Sequence, residues 1–315
     1  MQFRQLEYFV ALARERHFGR AAAACHVSQP TLSEAIRNLE HELKVPLVRR
    51  GQSFDGLTPE GERLVLWARR ILADHEALRH EVAALQTGLT GELRVGVVPA
   101  ASTTVAPLID RFCSEHPLVR VQLETSLRSS GVIERVRRFE LDAGVVYPDG
   151  HDTAGLLVAP LYQEEQVLVA NRDLIGGPAD TISWPDVLEL PLCLLNREMR
   201  GRQLLDEALA DRGLAVSPRL EADSVASLLA QVGTGRWATI VPRTWLHAVR
   251  PAADNAVLRL ANPSVIATVA VVTNAGPPVS VLTAPCCWPS RRLGRMIRNP
   301  ERRPRQHTDR TPWKL

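Results

Sequence analysis

The chain has 315 residues, 45% of them apolar, 23% charged and 5% aromatic; that length favours two or three folded units, and the composition excludes collagen-like, low-complexity and wholly disordered chains. Its five cysteines, Cys25, Cys113, Cys193, Cys286 and Cys287, are scattered without C-x-x-C spacing, so neither a disulfide framework nor a zinc site is indicated. The net charge of +3 is too small to mark a nucleic-acid binder and is unevenly spread, with 12 Lys/Arg against 11 Asp/Glu over 1–91, 17 against 22 over 92–280 and 9 against 2 over 281–315.

Leu6, Phe9, Val10 and Ala13 recur at intervals of three and four and predict a helix near 3–16. Arg4 and Glu7 interrupt this stretch where a secretory signal would be apolar, and no apolar run is long enough to span a bilayer, so a cytoplasmic chain without a membrane partner is expected. Arg20 to Cys25 reads as a short helix of small residues, with His26 and Val27 as a turn. Ser28 then offers a hydroxyl cap, Pro30 fits a first turn, and Leu32, Ala35, Ile36, Leu39 and Leu43 form the apolar stripe of a second helix.

A short helix, a tight turn and a capped helix make a helix-turn-helix, whose second helix presents polar side chains to the major groove. Ser28, Gln29, Pro30, Thr31, Ser33, Glu34 and Arg37 occupy that first turn or lie off the stripe. Gln pairs bidentately with adenine, Ser and Thr reach several base edges, and Arg holds a phosphate or a guanine. Taken alone, the same residues also describe a solvated helix face.

Thr58, Pro59 and Glu60 start another helix, with a hydroxyl cap and a carboxylate at the positive end of its dipole. Leu64, Ile71, Leu78 and Leu85 repeat every seven residues, as do Ala68, His75, Val82 and Leu89. That is the period of a coiled-coil seam, and a second helix is implied to cover it; a long helix packed on its own domain is the competing reading. The role of His75 in the seam is open: it sets register, lies at the edge, or weakens pairing at low pH. His75 and His80 are five residues apart, which sets the imidazoles on different helix faces and argues against a metal site.

The run Phe18-Gly19-Arg20-Ala21-Ala22, then Ser28-Gln29-Pro30-Thr31-Leu32-Ser33, Ile36, Leu39-Glu40, Leu43, Pro46-Leu47, Arg50 and Leu57-Thr58-Pro59-Glu60-Gly61, resembles the DNA-binding domain of LysR-type transcriptional regulators. Val48 stands where that family usually has Phe in the wing, and Glu34 where it often has a basic or amide side chain. Arg49 and Arg50 are candidate phosphate contacts, although two exposed arginines in a loop are as often simply solvated, and the resemblance implies that the long helix dimerises the protein.

Beyond Gly88 and Gly91, strands are expected at 93–98, 119–123 and 143–146 with helices at 104–112 and 132–139. A second unit has strands near 167–170, 192–195 and 239–241 and helices near 203–212 and 225–232. Such alternation predicts parallel strands. Gly96-Val97-Val98-Pro99, Glu140-Leu141-Asp142, Pro160-Leu161-Tyr162 and Val232-Gly233-Thr234-Gly235 with Pro242 are similar to the family's effector-binding domain. The resemblance implies a periplasmic-binding-protein-like α/β domain of two subdomains around a cleft. Helix N-termini facing that cleft suit a small anionic effector. Candidate contacts are Ser102, Thr103, Thr104, Ser129, Ser130, Asn196, Arg200 and Ser224, with Arg200 as the expected carboxylate partner. For each serine, a plain helix cap is the competing reading. Ala100 departs from the family, which often has Ser or Thr after the proline.

The expected organisation is an N-terminal winged helix-turn-helix (1–58), a coiled-coil linker helix and hinge (59–91), and an α/β effector domain (92–285). Residues 92–160 plus 267–285 make its first subdomain and 161–266 its second. A basic stretch follows at 286–315; its composition predicts disorder after about 290, either as a DNA-attracting tail or as the product of a frame change. The expected partners are double-stranded DNA with dyad-symmetric sites, a small-molecule effector, RNA polymerase and the chain itself, as a homodimer or tetramer. No cofactor is expected. With no Gly-x-Ser-x-Gly elbow, phosphate loop or complete dinucleotide fingerprint, an enzyme is not expected either.

Overall fold

Leu6, Phe9 and Leu12 form the buried face of α1 (Phe3–Glu15). They pack with Ala21 and Ala22 of α2 (Phe18–Ala24), with Leu32, Ile36 and Leu39 of α3 (Gln29–Leu43), and with Leu47, Val48 and Leu57 around the hairpin of β1 (Val48–Arg50) and β2 (Phe54–Leu57). The two alanines let α1 and α3 close over α2, because a larger side chain there would hold the helices apart. Val48 is fully part of this core, so the wing is packed despite lacking the family's usual phenylalanine. Phe18 and Phe54 add an edge-on aromatic contact at 6.2 Å between α2 and the wing.

The computed structural model describes residues 1–50, 54–86, 88–177, 179–276 and 283. Two units are resolved: Met1–Val158 together with the strand returning from Val271, and Ala159–Ala270. The expected basic stretch over 286–315 lies outside the described residues, as do Cys286 and Cys287.

The first unit continues from the N-terminal core along α4 (Pro59–Gln86) into a sheet of order β4-β3-β5-β12, made of β3 (Gly91–Val97), β4 (Val119–Glu124), β5 (Ala143–Val146) and the end of β12 (Ile266–Asn274). β3 pairs in parallel with both β4 and β5, as the alternating pattern predicts. α5 (Ala106–Glu115) starts later than expected at 104. Pro107 explains the delay, since a proline deeper in the helix would lack an N–H and strike the carbonyl four residues back. A 3₁₀ turn over Pro99–Ala101 fills the gap.

α6 (Ser129–Arg137) begins before the expected 132 and ends before 139, where Phe139 takes φ 57°. It lies unusually close to the sheet. A β-carbon at Gly96 would stand 3.1 Å from Val132 Cγ1, and one at Gly144 would stand 2.4 Å from the same atom. Glycine at these two strand positions therefore sets how near the helix, and with it Ser129, can come to the strand ends.

The second unit is built on β6 (Leu156–Asn171), far longer than the expected 167–170, with β10 (Ala238–Pro242) and β11 (Asn255–Ala261) antiparallel on its two sides. This corrects the all-parallel expectation. Parallel pairing survives where a crossover separates the strands: β7 (Thr181–Ser183) with β11, and β8 (Cys193–Leu195) with β9 (Leu220–Ala222), which are joined through α8 (Arg200–Ala210). α7 (Trp184–Leu188), α9 (Val225–Val232) and α10 (Trp245–Ala248) complete the unit. One face of β6 carries Leu168 and Ala170 into a core with Trp184, Leu194 and Leu205, while Val167 and Val169 enter a second core with Val225, Leu228 and Val241. The alternation follows from the two-residue period of a strand buried on both faces.

Candidate DNA-reading and effector-binding sites

The start of α2 is capped by a residue that the sequence reading passed over. His17 Nδ1 accepts the N–H groups of Gly19, at 3.0 Å, and Arg20, at 3.3 Å. His26 takes φ 55° in the turn, and the Val27 N–H reaches back to the Ala22 carbonyl at 3.0 Å. Ser28 caps α3: its Oγ accepts the Thr31 N–H at 3.3 Å and lies 2.7 Å from Thr31 Oγ1. The hydroxyls of Ser28 and Thr31 are thus engaged with each other in holding the turn. Gln29, Pro30, Thr31, Glu34 and Arg37 are exposed along one side of the helix, and Ser33 is half-buried. The side chain best placed for base readout is Gln29, an exposed amide at the first helical position with donor and acceptor together.

The wing root is held from two sides. Glu40 of α3 accepts the N–H groups of Leu47 and Val48 on a single oxygen, at 2.9 and 3.1 Å. On the other side, Thr58 donates its hydroxyl to the Pro46 carbonyl at 2.7 Å and its N–H to the Leu47 carbonyl at 3.0 Å, while its Oγ1 caps α4 by accepting the Gly61 N–H at 3.0 Å. A β-carbon at Gly61 would lie 2.2 Å from the Leu47 carbonyl oxygen. Arg49 is exposed, and Arg50 pairs with Phe54 across the hairpin through its backbone. The contacts expected of the Arg50 side chain lie outside what is described.

Along α4 the seven-residue pattern divides. Val65 and Ala68 are buried in the N-terminal core of the same chain, with Leu64, Ile71 and Leu72 packed against it. His75 stacks on Phe3 of α1, with ring centroids 4.2 Å apart. Further along, Leu78, Val82 and Leu85 are exposed, Leu85 by 84%. Leu66 and Trp67 are exposed as well. Leu89, half-buried, lies beyond the end of the helix at Gln86.

Of the effector candidates in the first unit, Ser102 donates to the Pro99 carbonyl at 2.8 Å, and Ser129 accepts the Tyr147 N–H at 3.3 Å. Ser130 is exposed. Thr103 Oγ1 and Thr104 Oγ1 are buried with no hydrogen-bond partner among the described residues. In the second unit, Asn196 Oδ1 and Arg200 Nε are in the same condition, although the Arg200 Nη1 pairs with Glu207 at 2.5 Å. Ser224 occupies the N-cap position of α9 without making a side-chain cap bond. The fully buried Arg202 was missed by sequence reading. It donates to Asp206, Glu221 and the Leu195 carbonyl at 2.9, 2.8 and 3.1 Å, tying α8 to β8 and β9. An Arg and Asp four apart on a helix look like a surface pair, and nothing local announces Glu221.

Burial pushes the thiols of Cys25 and Cys193 above their ordinary value. A thiol so shifted is a poor nucleophile.

A capped helix-turn-helix with a two-stranded wing, followed by a long helix and a two-unit α/β region, defines a DNA-binding regulator with a sensor domain. A family model described as the bacterial regulatory helix-turn-helix protein, lysR family, matches residues 3–62, and one described as the LysR substrate binding domain matches residues 86–284. The nitrogen assimilation regulatory protein nac of Klebsiella aerogenes is 30% identical over 266 residues, covering 84% of this chain and 86% of that protein. A full-length OxyR variant from Pseudomonas aeruginosa superposes with a TM-score of 0.70 at 27% identity, over 95% of each chain. CbnR, solved in a complex with its target DNA, shares the fold with a TM-score of 0.62 at 24% identity, over 95% of this chain and 99% of that one.

The chain belongs to the LysR family of transcriptional regulators. It is a DNA-binding, self-associating transcription regulator with an effector-binding domain, and by that membership not an enzyme. Among the described residues no helix is long and apolar enough to cross a membrane.

Proposed function

We propose that this regulator reads a dyad-symmetric duplex as a cytoplasmic homodimer or tetramer and changes its engagement with RNA polymerase when a small anionic effector binds. Residues 1–58 carry the reading head, 59–91 pair the protomers, and 92–285 form the sensor, whose subdomains are 92–160 with 267–285 and 161–266. Base readout rests on Gln29, with Ser28, Pro30, Thr31, Ser33, Glu34 and Arg37 shaping the contact and Arg49 and Arg50 holding phosphate. The effector contacts are Ser102, Thr103, Thr104, Ser129 and Ser130 in the first subdomain and Asn196, Arg200 and Ser224 in the second.

One observation carries the effector reading. Thr103 Oγ1, Thr104 Oγ1, Asn196 Oδ1 and Arg200 Nε are buried without partners, and all four belong to residues singled out from the sequence as effector contacts. An unpaired buried polar atom costs about 1–3 kcal/mol, so the two in each unit are the kind of group that a polar ligand would complete. Hydroxyls in the one unit and a guanidinium N–H in the other are donors of the kind a small carboxylate accepts from.

Thermal shift of the full chain against a panel of small aliphatic and aromatic carboxylates tests this. A carboxylate that raises the melting temperature of the wild type and fails to raise that of Arg200→Met supports the site; a shift of equal size in both overturns the role of Arg200. For the reading head, Gln29→Ala is expected to lower preference for the selected duplex by about 1–3 kcal/mol and leave affinity for random duplex unchanged. Equal losses on both would place base readout elsewhere.

A further inference from the structure

Leu47 and Val48 are 1% and 4% exposed, and their two N–H groups, at the root of the wing, converge on one carboxylate oxygen of Glu40, at 2.9 and 3.1 Å. A buried amide deprived of its acceptor pays its whole desolvation penalty, so the start of β1 is tied to the register of α3. Arg49 and Arg50 are the next two residues. On the far side of the same three-residue root, Thr58 holds the Pro46 and Leu47 carbonyls, and Gly61 leaves no room for a β-carbon beside the latter. The root is therefore seated between the reading helix and the start of the linker helix. The reading helix reaches it through Glu40.

Charge makes the choice of residue informative. An acidic group on a DNA-binding domain repels phosphate, so a carboxylate here carries a cost that a neutral acceptor would avoid. Two charge-assisted bonds to successive amides are what it supplies in return.

We propose that Glu40 is a positioning residue for DNA binding: by gripping the Leu47 and Val48 amides it fixes where Arg49 and Arg50 stand relative to the reading helix, and it does not itself touch DNA. This rests on the reading of those arginines as phosphate contacts.

The two ideas separate in one experiment, the salt dependence of full-length protein binding to a random-sequence duplex of about 30 base pairs, followed by fluorescence anisotropy. In Arg49→Ala/Arg50→Ala the slope of log affinity against log salt should fall by about 0.9 for each phosphate no longer neutralised. Glu40→Ala should lower the slope in the same direction, although removal of a negative charge alone would strengthen binding. Glu40→Gln, whose carbonyl accepts the same two amides, should stay near the wild type. Glu40→Asp keeps the charge but withdraws it by one methylene, and should behave like Glu40→Ala. Adding Glu40→Ala to the double arginine variant should lower the slope no further.

An unchanged slope in the arginine variant overturns the phosphate reading and the proposal with it. A lowered slope there, with a wild-type slope or tighter binding in Glu40→Ala, overturns the role of Glu40 alone. So does a Glu40→Gln variant that falls as far as Glu40→Ala, or an additive loss in the combined variant. Should Glu40→Ala fail to fold, the comparison of Glu40→Asp with Glu40→Gln decides in the same way.

Discussion

Arg69, in the middle of α4, meets the carboxylate of Glu140 at 2.5 Å, just beyond the end of α6. Glu140 also receives Arg135 of α6 at 3.1 Å, and Arg135 holds Glu124 of β4 through both terminal nitrogens, one of them at 2.8 Å. The linker helix is thus joined to a helix whose first turn carries Ser129 and Ser130, two of the effector candidates. Arg69→Met keeps the apolar stem and removes the pair. It should cost about 1 kcal/mol, because the groups are only partly buried, and should raise hydrogen exchange in the middle of α4 and over 138–142. Unchanged exchange in both segments would show that the pair does not hold them together.

The same network sets a pH dependence. The hydrogen bond from Arg135 holds the Glu124 carboxyl below its ordinary value. A carboxyl lower in the folded than in the unfolded state contributes stability above the unfolded pKa and loses it as pH falls through the folded one. Denaturant melts from pH 7 down to about pH 3 should show the wild type losing more stability than Glu124→Gln, with the two curves converging at the acid end. Parallel curves would mean that Glu124 titrates alike in both states.

Periodicity made the N-terminal helices legible. Leu6 and Phe9, then Leu32, Ile36 and Leu39, form stripes at helical spacing and are buried with almost no exposure. Ser28 and Pro30 were legible for the same local reason, since a cap and a first-turn proline act within four residues. The cap at His17 was not, because histidine serves as a cap only when a ring nitrogen happens to face the first amides. In the sensor, β6 was read as four residues because Gln163, Glu164, Glu165 and Gln166 break its apolar run; two of them, Glu164 and Gln166, are in fact buried. The role of Glu40 depends on amides seven and eight residues away, a reach that no helical or strand period encodes. The local patterns found four of the five residues with unpaired buried atoms, missing Gln166 inside β6, but could not say which hydroxyls the fold itself would use, as it does with Ser102 and Ser129.

If protomers pair through α4 as proposed, its heptad pattern would serve two partners. Its first part, with Ala68 fully buried, belongs to the chain's own core, and Leu78, Val82 and Leu85 are left exposed, open to a second copy. Leu85→Glu should therefore weaken dimers without changing the melting of the N-terminal domain, as each leucine buried in a seam is worth about 1.5–3 kcal/mol. Ile71→Glu should do more, because it also sets a charge against the N-terminal core and lowers domain stability. Sedimentation with parallel thermal melts separates the two effects. A dimer of unaltered mass and affinity in Leu85→Glu would remove this stretch from the interface.

Gly144 offers a test of how the sheet places Ser129. A β-carbon there would lie 2.4 Å from Val132 Cγ1 and 2.9 Å from Val272 Cγ2, both buried, so neither neighbour can swing into solvent. In Gly144→Ala, α6 has to lift away from β5, stretching the bond by which Ser129 accepts the Tyr147 N–H at 3.3 Å. Overpacking of this kind costs about 1–3 kcal/mol. The variant should melt earlier by that amount and should lose effector response more than it loses affinity for DNA, because the N-terminal core makes no use of Gly144. Loss of DNA binding in step with the effector response would mean that the strain spreads through α4 into the reading head, and that the glycine supports the unit as a whole.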